Sequence, residues 1–232
     1  MSRTIFIGDV HGCMDELLGL WKKLKIKAND KVFQVGDLVN KGPYSHEVIQ
    51  FCIKNQIQSI LGNHEIRLLD AYNANTIENL KDYDIETLKS LKSSDWSYIK
   101  KTPQYIYIKE KKVVVVHAGF LPNEPWDKQS KAITSKIQVI DKNGEAQKRS
   151  KEPNGTPWEK KWKGPPLVIY GHTPRLDIER HKYSIGLDTS CIYGHYLSAY
   201  VLEENRFIQV PAKKIYCYNK YISPYAQASD EK

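Results

Sequence analysis

The sequence contains few cysteines and no long apolar segment. Its four cysteines are scattered over 232 residues, and no two of them have Cys-x-x-Cys spacing. This pattern argues against a disulfide framework and predicts free, mostly buried thiols in a reducing cytoplasm. No stretch approaches the ~18 uncharged apolar residues of a membrane span, and no apolar signal segment follows the N-terminus. We therefore expect a soluble, cytoplasmic protein with no membrane partner.

Acidic residues are outnumbered by basic ones. The chain has 27 Asp and Glu against 35 Lys and Arg, an excess of 8 positive charges, and its pI is about 9.1. This balance favours anionic partners such as nucleotides, polyphosphate or RNA, among which charge alone does not choose. The hydrophobic content of 41% and the charged content of 27% are typical of a globular protein. Length and composition together exclude a peptide or a disulfide miniprotein.

Apolar strands alternate with helix-like segments in the first third of the chain. The predicted elements are the strands Thr4–Ile7, Lys31–Val35 and Ile57–Leu61 and the helices Met14–Leu24, Ser45–Asn55 and Glu65–Tyr72. The residues expected on the inner face of the first helix are Leu17, Leu18, Leu20, Trp21 and Leu24. Alternation of this kind is typical of an α/β sheet with crossover helices.

Two polar segments interrupt this pattern. Residues 73–101 have the spacing of amphipathic helices, and residues 123–166 are rich in Lys, Pro, Gly and Trp. The other predicted elements are a hairpin of Tyr105–Ile108 and Val113–His117, the strands Leu167–Tyr170, Ser184–Leu187, Leu197–Leu202 and Phe207–Val210, and a frayed tail after Tyr221. We expect one domain, residues 1–232, with insertions at about 73–101 and 123–166.

Five short segments join a glycine turn to a side chain that binds metals, and most of them follow an apolar strand. They are Gly8-Asp9-Val10-His11-Gly12, Gly36-Asp37-Leu38-Val39-Asn40-Lys41-Gly42-Pro43, Gly62-Asn63-His64-Glu65, His117-Ala118-Gly119 and Gly171-His172-Thr173-Pro174. Each segment alone is a weak signal. Because α/β proteins bind ligands at strand ends, their occurrence in one chain points to one shared site.

The potential ligands form a mixed nitrogen and oxygen set. They are the carboxylates Asp9 and Asp37, the amide Asn63, and the imidazoles His11, His117 and His172. Such a set suits Mn²⁺, Fe or Zn²⁺ and does not suit Ca²⁺. A carboxylate can bridge two ions, and two ions ~3.5–4 Å apart polarise a phosphoryl group and generate hydroxide for in-line displacement at phosphorus.

The ordered motifs resemble those of the calcineurin-like metallophosphoesterases. The similarity runs from about Thr4 to Val210 and is strongest to the phosphoprotein-phosphatase branch, which includes symmetrical diadenosine tetraphosphatases and lambda-type protein phosphatases. Residues 36–43, 157–165 and 185–194 resemble the diadenosine-tetraphosphatase-like group. The resemblance implies a two-sheet α/β sandwich flanked by helices, in four layers, and a two-metal phosphohydrolase.

The resemblance also implies a role for each matched residue. Asp9, His11 and Asp37 surround one metal, Asp37 bridges both metals, and Asn63, His117 and His172 complete the second site. The expected ions are two Mn²⁺, with Fe, Zn²⁺ or Co²⁺ as alternatives. His64 matches the histidine that stabilises or protonates the leaving group, so His64 and Asp37 are the implied catalytic residues.

Asn40-Lys41 departs from the Asp-Arg of related protein phosphatases. Asn brings no charge to hold an imidazolium, and Lys lacks the planar fork of Arg. A serine alkoxide, with a conjugate-acid pKa near ~15.7, needs a proton in the transition state, whereas a nucleotide phosphate with a second pKa of about 6 does not. The departure therefore favours a dinucleoside polyphosphate such as diadenosine tetraphosphate, which hydroxide would cleave into nucleotides.

Several alternatives stay open. Thr173-Pro174 resembles lambda-type protein phosphatases, so a serine/threonine phosphatase is the second hypothesis, followed by a polyphosphate or capped-RNA hydrolase and a non-catalytic nucleotide or RNA binder. The predicted substrate contacts are Lys41, Arg67 and Asn40, although Arg67 equally suits a solvated helix face. Trp158 and Trp162 suit either purine stacking or a structural pair. The sequence specifies no oligomeric state.

Overall fold

Neighbouring residues of the strands point into different apolar cores. In a computed structural model that describes residues 2–226, Phe6 and Phe33 face one buried cluster, whereas their neighbours Ile5 and Val32 face another. Successive side chains of a strand point to opposite faces of a sheet. Burial on both faces therefore explains why these strands are continuous apolar runs rather than alternating ones.

The first sheet has five strands, β1 (Thr4–Ile7), β2 (Lys31–Gln34), β3 (Gln58–Ser59), β12 (Tyr196–Val201) and β13 (Arg206–Pro211). Their order across the sheet is β13-β12-β1-β2-β3. β1, β2 and β3 are parallel, with Phe6 beside Phe33, and β12 is antiparallel to β1. The carboxyl ends of the first three strands therefore lie on one edge.

The second sheet also has five strands, β4 (Tyr105–Ile108), β5 (Val113–Val116), β9 (Leu167–Tyr170), β10 (Glu179–His181) and β11 (Ser184–Gly186). Their order across the sheet is β10-β11-β9-β5-β4. β5, β9 and β11 are parallel, and β4 forms the predicted hairpin with β5. Phe6 and Phe33 share their cluster with Val115 and Ile169 of this sheet, so the two sheets pack face to face.

Helices cover the outer faces. They are α1 (Met14–Leu24), α2 (Ser45–Lys54), α3 (Asn63–Ala74), α4 (Asp82–Ser90), α5 (Ser93–Lys101), α6 (Lys131–Thr134) and α7 (Trp158–Lys161). α1 packs on β12 and β13, and α5 packs on α2 and α3. The predicted two-sheet α/β sandwich flanked by helices is confirmed.

The two interrupting segments have different structures. Residues 73–101 contain α4 and α5. Residues 123–166 contain α6, α7 and a small sheet of β6 (Val139–Ile140), β7 (Ala146–Gln147) and β8 (Thr156–Pro157), in the order β7-β6-β8. The assignment of one domain with two insertions stays a prediction.

Some local predictions were wrong. Leu18 is 46% exposed although it was expected on the inner face of α1. The edge strand β10 was not predicted because its Glu-Arg-His sequence has no apolar pattern. Of the tail after Tyr221, Ser223–Tyr225 forms a 3₁₀ turn, and residues 227–232 lie outside the described residues. Within residues 2–226, no helix combines the length and apolarity needed to cross a membrane.

Candidate functional site

All five motifs follow the carboxyl ends of parallel strands. The first three follow β1, β2 and β3, and the last two follow β5 and β9 of the facing sheet. The two edges meet, so the seven predicted metal and catalytic side chains lie together. They are Asp9, His11, Asp37, Asn63, His64, His117 and His172.

The Asp37 carboxylate lies at the centre of this cluster. Its Oδ2 is 3.4 Å from His117 Nε2, 3.6 Å from His11 Nε2 and 4.0 Å from His64 Nε2. Burial by itself raises the pKa of Asp37, but the three imidazoles outweigh burial and hold this pKa well below its usual range. Asp37 is therefore an anion surrounded by nitrogen donors.

Backbone carbonyls orient two of these imidazoles. His11 Nδ1 lies 2.9 Å from Val39 O, and His117 Nδ1 lies 2.8 Å from Val35 O. A carbonyl only accepts hydrogen bonds, so Nδ1 of each ring carries a hydrogen and Nε2 is the ring nitrogen that faces Asp37. A hydrogen bond from the non-ligating nitrogen to a carbonyl is the usual arrangement of a metal-binding histidine.

Asn63 joins the two remaining imidazoles. Its Oδ1 lies 2.7 Å from His172 Nδ1 and 3.0 Å from His117 Nε2. Burial and the charge of His117 lower the pKa of His172 to about 3, while Asp37 and Asp9 overcome burial and raise the pKa of His117 to about 10. One amide oxygen and two ring nitrogens thus converge on one side of Asp37.

Asp9 has one carboxylate oxygen in use and one without a partner. Its Oδ2 accepts the backbone N–H of His172 at 3.0 Å, whereas the buried Oδ1 has no hydrogen-bond partner within residues 2–226. A Cβ atom at Gly171 would overlap this Oδ1, so glycine is required for the close approach. A buried carboxylate oxygen without a hydrogen-bond donor is suited to bind a cation.

Five site residues other than glycine have left-handed backbone conformations. The φ angles are 47° at His11, 57° at Asp37, 73° at Asn40, 68° at Lys41 and 67° at His172. Such conformations cost roughly 1–3 kcal/mol each and persist where the surrounding structure enforces them. Backbone strain is therefore concentrated where the side chains converge.

Glu65, which the sequence indicated only as part of a helix start, enforces part of this geometry. Its carboxylate accepts four backbone N–H groups, those of Asp37 (2.9 Å), Leu38 (2.8 Å), Val39 (3.1 Å) and Gly62 (2.9 Å). The second and third motifs are therefore joined by one buried side chain. The sequence signal that could have indicated this role is an acidic residue in the first turn of α3.

His64 is positioned by side chains from three segments. Its Nδ1 lies 2.9 Å from Asn40 Nδ2 and 3.0 Å from Arg67 Nη2, and both groups also donate to Asp84 Oδ1 at 2.7 Å. Asn40 is fully buried and lies behind His64 rather than in a cavity wall. Asp84 was not identified from the sequence, because only packing brings α4 to this position.

Lys41 enters the cluster from the opposite side. Its Nζ lies 3.1 Å from both Tyr193 Oη and His11 Nε2. These residues line a cavity of about 170 Å³ together with Asp188, which sequence reasoning missed. Burial raises the pKa of Asp188 to about 6, with Lys41 opposing it and Asp37 adding to it. Lys41 therefore supplies the positive side chain of this small cavity.

A second cavity begins at Asn63 and His172. It has a volume of about 460 Å³, and its other walls include Arg67 and two lysines of the 123–166 segment, Lys136 and Lys148. This volume falls within the ~300–1,000 Å³ of small-molecule sites. The ligand cluster is thus continuous with a cavity large enough for a nucleotide, whose walls carry three basic side chains together with the acidic Asp70 and Glu78.

Residues 2–209 match the family model described as calcineurin-like phosphoesterase. The chain belongs to this family. It is therefore a metal-dependent hydrolase, as the motifs predicted.

Several proteins similar to this phosphoesterase are named as tetraphosphatases. The chain is 29% identical over 240 residues to the asymmetrical bis(5'-nucleosyl)-tetraphosphatase PrpE of Oceanobacillus iheyensis, with 93% of this chain and 94% of the relative covered. It is 36% identical over 140 residues to the symmetrical enzyme of Buchnera aphidicola, covering 57% and 49%. A crystal structure described as that of a candidate diadenosine tetraphosphatase superposes with a TM-score of 0.82 and 32% identity, covering 91% and 94%.

The residues of this phosphoesterase fit the divalent metals that its family uses. Two groups of side chains bring their potential ligand atoms within 4.8 Å of one another, His11 with Asp37 and His64, and Asp37 with His117 and His172. The unpartnered Asp9 Oδ1 and the inward-facing ring nitrogens agree with this chemistry. Asp37 belongs to both groups.

The tryptophan pair has a structural role in the phosphoesterase. Trp158 is fully buried against Tyr170, with ring centroids 5.0 Å apart, and Trp162 Nε1 donates to Pro166 O at 3.0 Å. A ring without exposed surface cannot stack on a purine. Purine stacking by Trp158 is therefore wrong, and the packing alternative is correct.

Proposed function

We propose that this phosphoesterase hydrolyses dinucleoside polyphosphates, such as diadenosine tetraphosphate, into nucleotides with two divalent metal ions. The observation that carries the proposal is the continuity between the ligand cluster and the larger cavity, which share Asn63 and His172. An extended polyphosphate with a nucleoside at its end suits such a site. The names of the relatives that match more than 90% of the chain support the same substrate class.

The proposed metal ligands are those predicted from the motifs. Asp9, His11 and Asp37 would hold one ion, and Asp37, Asn63, His117 and His172 would hold the other. When bound, the ions supply Lewis-acid polarisation of the phosphoryl group and a hydroxide nucleophile. Imidazole with carboxylate suits Mn²⁺, our expected ion, and also Fe, Zn²⁺ and Co²⁺.

The other residues act on the substrate. Lys41 binds phosphate as a point charge from the wall of the small cavity. His64 receives hydrogen bonds at Nδ1 and turns Nε2 toward Asp37, so it donates a hydrogen bond to the leaving phosphate. A nucleotide leaves as a stable anion and needs no proton, which matches a hydrogen-bond donor at this position.

The contacts of Thr173 do not favour the protein-phosphatase alternative. Thr173, one of the two residues that suggested it, is buried, and its N–H donates to Gly171 O at 2.7 Å. It shapes the turn after His172 rather than a peptide-binding surface. The four free cysteines support a cytoplasmic location for the enzyme, which we include in the proposal.

A substrate panel tests the proposal. We would compare kcat/KM for diadenosine tetraphosphate, a phosphoserine peptide, inorganic polyphosphate and capped RNA with added Mn²⁺. The dinucleotide is expected to be the best substrate. Chromatography of its products identifies the phosphoanhydride bond that is cleaved, since two ADP indicate symmetrical cleavage and ATP with AMP the asymmetrical kind. A preference for the phosphopeptide would contradict the proposal.

A further inference from the structure

The hydrogen-bond network behind His64 contains a carboxylate that none of the five motifs supplies. Asp84, the third residue of α4, is fully buried. Its Oδ1 accepts from Asn40 Nδ2 at 2.7 Å and from Arg67 Nη2 and Nε at 2.7 and 3.1 Å. Its Oδ2 accepts the backbone N–H of Lys81 at 3.0 Å. One side chain thus begins α4 and anchors two neighbours of His64.

The same two neighbours determine which nitrogen of His64 carries a hydrogen. Amide and guanidinium nitrogens are donors, so His64 Nδ1, at 2.9 and 3.0 Å from them, accepts both bonds. Turning the Asn40 amide over would bring its oxygen to within 2.7 Å of Asp84 Oδ1, which also only accepts. The Asp84 carboxylate therefore determines the orientation of Asn40 as well as that of Arg67.

We propose that Asp84 is a positioning residue for His64. Through Asn40 and Arg67 it holds the ring with hydrogen on Nε2, which faces the metal-ligand cluster 4.0 Å from Asp37 Oδ2. The inference rests on the proposed function, because it takes His64 to act on the leaving phosphate. A ring whose Nδ1 accepts two bonds is set to donate one hydrogen bond from Nε2, which suits an anionic leaving group better than an alkoxide.

In this arrangement the Asp84 carboxylate does not contact His64 directly, because the Asn40 side chain lies between them. The related protein phosphatases have Asp where this chain has Asn40. Here Asn40→Asp alone would place a second buried carboxylate about 2.7 Å from Asp84 Oδ1, and like charges at this distance repel. The combined variant Asn40→Asp with Asp84→Asn avoids this repulsion and places a carboxylate directly beside His64 Nδ1.

Asp84→Asn is the first test because it keeps the side-chain size and an oxygen for the Lys81 N–H. Asp95→Asn is its matched control. Asp95 is the third residue of α5, is also fully buried, and accepts the Lys92 N–H at 2.7 Å, but its partners are His46 and Gln50. The two variants therefore remove the same helix-start carboxylate, and only one of them is connected to His64.

We expect Asp84→Asn to lower kcat for diadenosine tetraphosphate about tenfold, with KM and bound metal nearly unchanged. Asp95→Asn should leave kcat within about twofold while losing similar thermal stability. An equal loss of kcat in both variants would show that Asp84 only stabilises the fold and would overturn the inference.

The ring tautomer gives a readout that does not depend on turnover. ¹⁵N-histidine NMR of the Zn²⁺-loaded enzyme, with His64→Ala to assign the signals, should show His64 with hydrogen on Nε2 and a mixture of tautomers in Asp84→Asn. If Asp84→Asn does not fold, Arg67→Lys serves instead. The Arg67 side chain is about one-third exposed, so the fold should tolerate this change. Lys cannot reach Asp84 and His64 together. Hydrogen on Nδ1 in the unmodified enzyme would refute the proposal.

The combined variant separates this inference from the proposed function. We expect Asn40→Asp with Asp84→Asn to raise kcat/KM for a phosphoserine peptide relative to the dinucleotide. If the unmodified enzyme already prefers the phosphopeptide, the proposed function fails. The tautomer measurement and the comparison of Asp84→Asn with Asp95→Asn then still decide the role of Asp84.

Discussion

Glu65 Oε2 accepts the backbone N–H of Asp37 at 2.9 Å, and this bond connects the start of α3 to the residue at the centre of the ligand cluster. The same carboxylate accepts three further N–H groups of the second and third motifs. The left-handed turn at Asp37 is therefore maintained by a buried side chain whose carboxylate binds backbone N–H groups.

We expect Glu65→Gln to lower the free energy of unfolding by about 3 kcal/mol, because an amide opposes some of these N–H groups with its own donors. Urea denaturation measures the loss, and elemental analysis should show less bound metal. Glu86→Gln, an exposed change on α4, is the control. Unchanged stability in Glu65→Gln would refute this scaffolding role.

Asp37→Asn should nearly abolish turnover, since the proposed bridging carboxylate holds both ions. Asn adopts the left-handed backbone of Asp37 (φ 57°) readily, so the fold should persist. Metal content and circular dichroism would be measured beside kcat. Exhaustive chelation of the unmodified enzyme should have the same effect, and full turnover after chelation would exclude the mechanism.

His64→Ala should retain both metals and lower kcat by about 100-fold, the typical effect of removing one transition-state hydrogen-bond donor. The loss should increase as the leaving group becomes poorer, which a series of aryl phosphates would measure. Loss of metal in this variant would instead make His64 a ligand.

Lys148→Glu should raise KM for diadenosine tetraphosphate several-fold, by about 1 kcal/mol of binding energy, and the effect should decrease in high salt. Lys148 lines the larger cavity, which the small substrate p-nitrophenyl phosphate need not enter, so its KM should stay constant. Lys160→Glu, at an exposed position on α7, is the control. Equal effects of both variants would indicate only a general charge effect.

The contacts of Asp30, which lies outside the candidate site, predict a pH-dependent contribution to the free energy of unfolding. Its side chain accepts hydrogen bonds from the Arg3 guanidinium and from backbone N–H groups, and these lower its pKa from 3.8 to about 2. A lowered pKa stabilises the fold above the unfolded value, and the contribution is lost as pH falls from about 4 to 2. Asp30→Asn should therefore cost about 1–2 kcal/mol at pH 7 and almost nothing near pH 2. Urea denaturation at several pH values would measure this, and a constant difference would contradict it.

The sheet strands and the metal motifs were predictable because their signals are local. An apolar run such as Val113–Val116 shows a strand buried on both faces, and the glycine turns that follow show where the chain leaves the sheet. β10 and the exposure of Leu18 were not predictable. Both depend on which neighbour covers a surface, and the spacing of residues does not contain this information.

The sequence by itself determined the α/β alternation, the family and the motifs whose side chains meet in the cluster, since each is carried by residue types at short spacing. Tertiary structure alone decided how these groups are supported. Asp84 is 44 residues from Asn40 and meets it only because α4 packs beside α2 and α3. Trp158 is buried for the same reason, because Gly119, which is remote in the chain, lies against its ring. Contacts between remote segments depend on how the packed layers meet, and so they have no local pattern in the chain.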